Sequence, residues 1–135
     1  MRLVIGLVAN LASTFLIGML IRSVLPALSE TAQKICEAKL TVPFFPVLVR
    51  GIFCGVLMYL AVSIYAEKNT VVGILFCVPV FIVSGFEHSI ADCFYLGASG
   101  IFTLAVPAFI MTVVLGNTIG AVILPLLSYG RKKDQ

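Results

Sequence analysis

Ser84-Gly85-Phe86-Glu87-His88-Ser89 interrupts an otherwise apolar run, residues 70–96, that is long enough to cross a bilayer. Glu87 and His88 are adjacent ionisable residues close to the middle of that run. An unpaired carboxylate at such a depth costs at least ~2.5–3.5 kcal/mol on insertion scales. A serine-glycine pair breaks the hydrophobic pattern at the same place. A helix broken where polar groups line a path through the membrane has this pattern. The run therefore predicts a transmembrane permeation or transport site.

Composition points the same way. Of 135 residues, 61% are hydrophobic and 11% charged, and the mean hydropathy is +1.15. Soluble domains carry roughly 25% charged residues. A chain of this size folding in water could not hide so much apolar surface. The expected class is an all-α polytopic membrane protein whose principal partner is the lipid bilayer. The net charge of +3 comes from scattered or terminal residues, a distribution that does not suggest nucleic-acid binding. Cys36, Cys54, Cys77 and Cys93 show no C-x-x-C spacing. They read as small packing residues, not as a disulfide framework.

Four spans follow from the pattern: residues 3–24, 44–65, 70–96 and 101–127, the third broken near Ser84-Gly85. Together they form a single transmembrane domain over residues 1–135. The polar connection from Pro26 to Thr41 can hold a short surface helix, residues 27–38. Glu67-Lys68-Asn69 reads as a tight turn. An even number of spans puts both termini on one side. Arg2, Lys68, Arg131, Lys132 and Lys133 gather there, which favours cytoplasmic termini in the cell inner (plasma) membrane. Two small-residue pairs, Gly51-x-x-x-Gly55 and Gly116-x-x-x-Gly120, read first as sites of close helix packing. Val8-Ala9-Asn10 and Leu115-Gly116-Asn117 form a faint echo, which an inverted repeat permits.

The run Ser84-Gly85-Phe86-Glu87-His88-Ser89-Ile90-Ala91 resembles the fifth-span signature of the formate/nitrite transporter family. Arg50-Gly51-Ile52-Phe53-Cys54 with Leu60-Ala61-Val62 resembles its fourth span. Leu115-Gly116-Asn117-Thr118-Ile119-Gly120 resembles its sixth, and Ala9-Asn10-Leu11 its third. The likeness covers nearly the whole chain, from the family's third span onward, in about half the family's usual length. It implies part of an aquaporin-like six-helix fold. It also implies a homo-oligomer, a pentamer with one pore per protomer, or assembly with a missing N-terminal half. The implied function is passage of small monovalent anions, such as formate or nitrite, coupled to protons through a pore histidine. The alternative is a non-transporting assembly subunit or an inactive truncated remnant.

Carried onto this sequence, the resemblance makes His88 the pore histidine and Glu87 its neighbour. Phe86 is a residue that can narrow the pore, as can Phe81 and Phe94. Lys39 matches a lysine that raises positive potential at the outer vestibule, and Asn117 a polar asparagine of the sixth span. Two positions depart from the family pattern. Gly55 stands where an asparagine is common, which removes a hydrogen-bonding group near Glu87 and His88. Asp92-Cys93 stands where asparagine-methionine is frequent, and Asp92 can face His88 from four residues away.

The chemistry expected of these residues is specific. An imidazole with a reference pKa of about 6.5 exchanges protons at physiological pH. A monovalent carboxylate crossing an apolar constriction pays heavily for lost hydration. Protonation makes it a neutral acid and removes most of that cost. Glu87 is better suited to positioning the imidazole than to meeting an anion. A metal set from Glu87, His88, Asp92 and Cys93 is disfavoured, because adjacent residues 87 and 88 point apart on a helix. No cofactor is implied. The sequence holds no phosphate-cradling glycine loop or nucleophile elbow that would suggest an enzyme.

Overall fold

A computed structural model describes the backbone of residues 1–133 and the side chains of residues 1–127. The described residues contain helices and no strand. The helices are α1 (Arg2–Val24), α2 (Pro26–Leu40), α3 (Phe44–Lys68), α4 (Val72–Val83), α5 (Ser89–Ser99) and α6 (Ala105–Lys133). Residues 2–24 of α1, 44–68 of α3 and 105–127 of α6 are each long and apolar enough to cross a membrane. The third apolar run is two shorter helices, α4 and α5, separated by residues 84–88. The chain is thus an all-helical, polytopic membrane protein. Of the basic tail, the side chains of Arg131, Lys132 and Lys133 lie outside the described ones.

Element ends follow their residues. Pro26 opens α2 at its first turn, where a missing N–H costs nothing. The polar connection is therefore a helix longer than residues 27–38. It is also anchored: Ala32 and Cys36 are buried, and the Ser29 hydroxyl donates to the Ala98 carbonyl at 2.8 Å. The turn after α3 closes on Asn69, whose φ of 48° lies in the left-handed region that asparagine tolerates. Its N–H returns to the Tyr65 carbonyl at 2.9 Å.

The chain divides into two compact units. One comprises residues 1–43 and 89–111, with α1, α2, α5 and the start of α6. Its core includes Ala32, Cys36, Cys93, Leu96, Ala98 and Phe109. Helices α1 and α5 cross at backbone contact. A methyl group at Gly18 would overlap the Phe94 carbonyl, and one at Gly97 the Phe15 carbonyl. The other unit comprises residues 44–88 and 112–135, with Val47, Cys54, Ala61 and Val113 buried. There α3 meets α6 through both small-residue pairs. A Cβ at Gly51 would lie 3.2 Å from the Gly116 Cα, and one at Gly116 2.7 Å from the Leu48 carbonyl. Small residues let helices approach closely where lipid supplies no hydrophobic drive for their association.

Gly18→Val and Gly97→Val should each destabilise the fold by about 1–3 kcal/mol through overpacking, measured as the unfolding midpoint in detergent. Gly6→Val is the internal control, because nothing lies within 4 Å of the added carbon. Its midpoint should stay close to wild type.

Candidate functional site

The interruption between α4 and α5 is an ordered structure. Gly85 has φ +65° and follows the last residues of α4. The Gly85 N–H bonds the Ile82 carbonyl at 3.2 Å and the Phe86 N–H bonds the Phe81 carbonyl at 3.1 Å. This double closure is a Schellman cap, with glycine at the left-handed position it requires. It ends α4 and turns the chain into Phe86-Glu87-His88 before α5 begins at Ser89.

That non-helical backbone is held from α6. The Asn117 side-chain amide donates to the Glu87 carbonyl at 2.8 Å and to the Gly51 carbonyl on α3 at 3.0 Å. Both hydrogens of one amide group thereby tie the break to two helices. In hydrocarbon an unpaired carbonyl costs several kcal/mol, so such a bridge has large leverage. Asn117 can reach both because α3 and α6 touch here. A Cβ on Gly55 would overlap the Asn117 carbonyl. Position 55 thus faces the α6 backbone and has no room for a larger side chain.

The side chains of the break are individually placed. Glu87 is 1% exposed, and its carboxylate Oε1 lies 3.8 Å from Nη1 of Arg50. The Arg50 side chain is 45% exposed, so the buried carboxylate has a partner that extends toward the surface. The Phe86 ring stacks on Phe53, with centroids 5.5 Å apart and planes 18° from parallel. The His88 imidazole stacks on Phe81 at 5.5 Å and 30°. Glu87, His88, Phe86 and Asn117 thus come together within one unit. Phe94 lies in the other unit, edge-on to Tyr95.

Lys39 also belongs to the first unit, and it is paired. Its ammonium sits 3.0 Å from Oδ1 of Asp92, with side-chain exposures of 22% and 3%. Lys39 lies in the last turn of α2 and Asp92 in the first turn of α5. Each charge therefore complements the dipole of its own helix. Sequence reasoning set Asp92 against His88 and did not foresee the pair with Lys39. It also missed Arg50 as the partner of Glu87. Both pairings had a signal, since few charged residues fall within the apolar segments and buried charges seek opposite ones.

An amide-clamped break bearing a carboxylate and an imidazole thus stands within an apolar segment of a polytopic helical membrane protein. The formate/nitrite transporter family model matches residues 1–130, and the chain belongs to that family, one of transporters and not of enzymes. Two proteins called nitrite transporter NirC, from Escherichia coli strain K12 and Shigella flexneri, are each 28% identical to it over 134 residues. Each match covers 89% of this chain and 50% of the relative. The chain therefore spans about half the length of the curated relatives it matches. No solved structure matches it.

Asn117→Leu should strip the Gly51 and Glu87 carbonyls of this donor at a cost of about 1–3 kcal/mol. Amide exchange over residues 84–88 should accelerate. Unchanged exchange would show that the bridge does not hold the break.

Proposed function

We propose that the chain forms part of a path for small monovalent anions, formate or nitrite, with passage coupled to protons through His88. The supporting observation is the clamped break itself. It presents an ionisable ring, half-buried on Phe81, within an apolar segment where polar backbone is tolerated only if held by protein or lining a cavity. The names of the curated relatives favour nitrite.

In this reading an anion that reaches the break accepts a hydrogen bond or a proton from the imidazole and crosses as a neutral or nearly neutral species. This avoids most of the cost of carrying a bare charge through hydrocarbon. Glu87, held by Arg50, positions the neighbouring residue and leaves anion contact to His88. Phe86 on Phe53 and Phe81 under His88 set the width and the apolar character of the constriction. α4 and α5 act as two half-helices of one broken span, making four spans in all. The termini face the cytoplasm. The working assembly is oligomeric, a pentamer in the family manner. A subunit that assembles without transporting is the second reading.

The protein, with every chain that accompanies it in its native assembly, should be reconstituted into vesicles and assayed for nitrite and formate uptake across pH. His88→Phe keeps an aromatic ring on Phe81 and removes the ring nitrogens. It should abolish pH-dependent uptake, a loss of roughly tenfold or more, the factor given by ~1.4 kcal/mol of lost stabilisation. Uptake with an unaltered pH profile would reject the proton role. A wild-type assembly with no uptake of either anion would favour the non-transporting reading.

A further inference from the structure

Asp92 is a charged residue that the clamp at the break does not use. It is almost fully buried, and it sits against the lysine on which anion attraction was expected to depend. We propose that Asp92 is an internal counterion that sets the affinity of the anion-capture step, so that an arriving anion must compete with it for the Lys39 ammonium. This inference deepens the transport reading and rests on it for the identity of the ligand, a small monovalent anion.

Geometry and charge carry the argument. At 3.0 Å the carboxylate oxygen occupies one donor direction of the ammonium. The side chain of Lys39 keeps 22% of its surface exposed while that of Asp92 keeps 3%, so the lysine is the partly open member of the pair and the carboxylate the enclosed one. An anion approaching from solvent therefore meets a pair whose net charge is near zero. To bind Lys39 fully it must weaken the contact with Asp92, leaving a buried carboxylate less well compensated, which is costly. It also feels the like charge of Asp92 behind the ammonium. The pair is built into the helix ends, with Lys39 at the C-terminus of α2 and Asp92 at the N-terminus of α5, so both dipoles hold it together. A lysine held this way discriminates weakly in favour of anions, and a neutral weak acid loses little by comparison.

Asparagine at this position would differ in one respect. Its side-chain carbonyl can still accept from the ammonium at the same place, but it carries no charge. Asp92→Asn should thus leave the lysine oriented and make it net positive.

The test uses the native assembly and two readouts. The first is thermal stabilisation of the detergent-solubilised protein by sodium nitrite, with sodium gluconate at equal ionic strength as reference. The second is nitrite uptake into vesicles, resolved into half-saturation and maximal rate. Asp92→Asn should lower the nitrite concentration for half-maximal stabilisation by about tenfold, a shift of the size that altering one charge pair gives. Where uptake occurs, half-saturation should fall in parallel, with a much smaller change in maximal rate. Asp92→Glu should restore values near wild type. Adding Lys39→Ala to Asp92→Asn should erase the gain. An Asp92→Asn protein with the wild-type nitrite dependence, or with none, overturns the counterion role. So does a gain that survives Lys39→Ala. Absence of uptake in every variant overturns the transport reading alone, because the stabilisation readout judges the counterion independently. If Asp92→Asn does not fold, Asp92→Glu paired with Lys39→Arg serves instead. Half-saturation unchanged within twofold supports the counterion, and a tenfold loss overturns it.

Discussion

One amide group holds the break in the third apolar run. The Asn117 side chain spends both of its hydrogens on main-chain carbonyls, one at Gly51 and one at Glu87. A membrane-spanning chain can leave the helical path only where its carbonyls find other donors. Here the donor comes from a neighbouring helix, and that helix is close enough only because α3 and α6 meet through glycines. Packing and polar satisfaction are thus a single constraint. The small residues bring Asn117 near, and Asn117 lets the chain stop being helical where Glu87 and His88 lie.

The two ionic contacts obey a shared logic. In each, a nearly buried carboxylate is matched with a basic side chain that extends toward solvent: Glu87 with Arg50, Asp92 with Lys39. A buried charge without a partner would be prohibitive in this setting. The consequences differ. At Glu87 the partner steadies a residue beside the imidazole. At Asp92 the partner is a lysine, and the pair joins the end of α2 to the start of α5.

Much of this was legible in the residues. Apolar runs marked the long helices α1, α3 and α6, Ser84-Gly85 marked the interruption, and Pro26 marked the start of α2. The glycine pairs at 51/55 and 116/120 read as packing sites, and the structure places them at the α3–α6 contact. Partner choice was not legible. Local spacing set Asp92 beside His88, four residues away, and gave no sign of Lys39, which the approach of α2 to α5 brings to 3.0 Å. Gly55 shows the same limit. A sequence reports that a side chain is missing but not whether its place is open or filled, and here the Asn117 backbone fills it. Contacts between elements distant along the chain depend on their arrangement in space, to which periodicity is blind.

Gly85 carries a different kind of restriction. An added carbon there would meet nothing within 4 Å, yet φ is +65°. The demand is one of handedness, not of volume. An L-residue at this site pays roughly 1–2 kcal/mol for its backbone conformation, while its mirror image would not. A semisynthetic chain bearing D-alanine at position 85 would keep the end of α4 intact. It would also lower the entropy of the unfolded chain, fixing the kink by chirality in place of glycine's freedom.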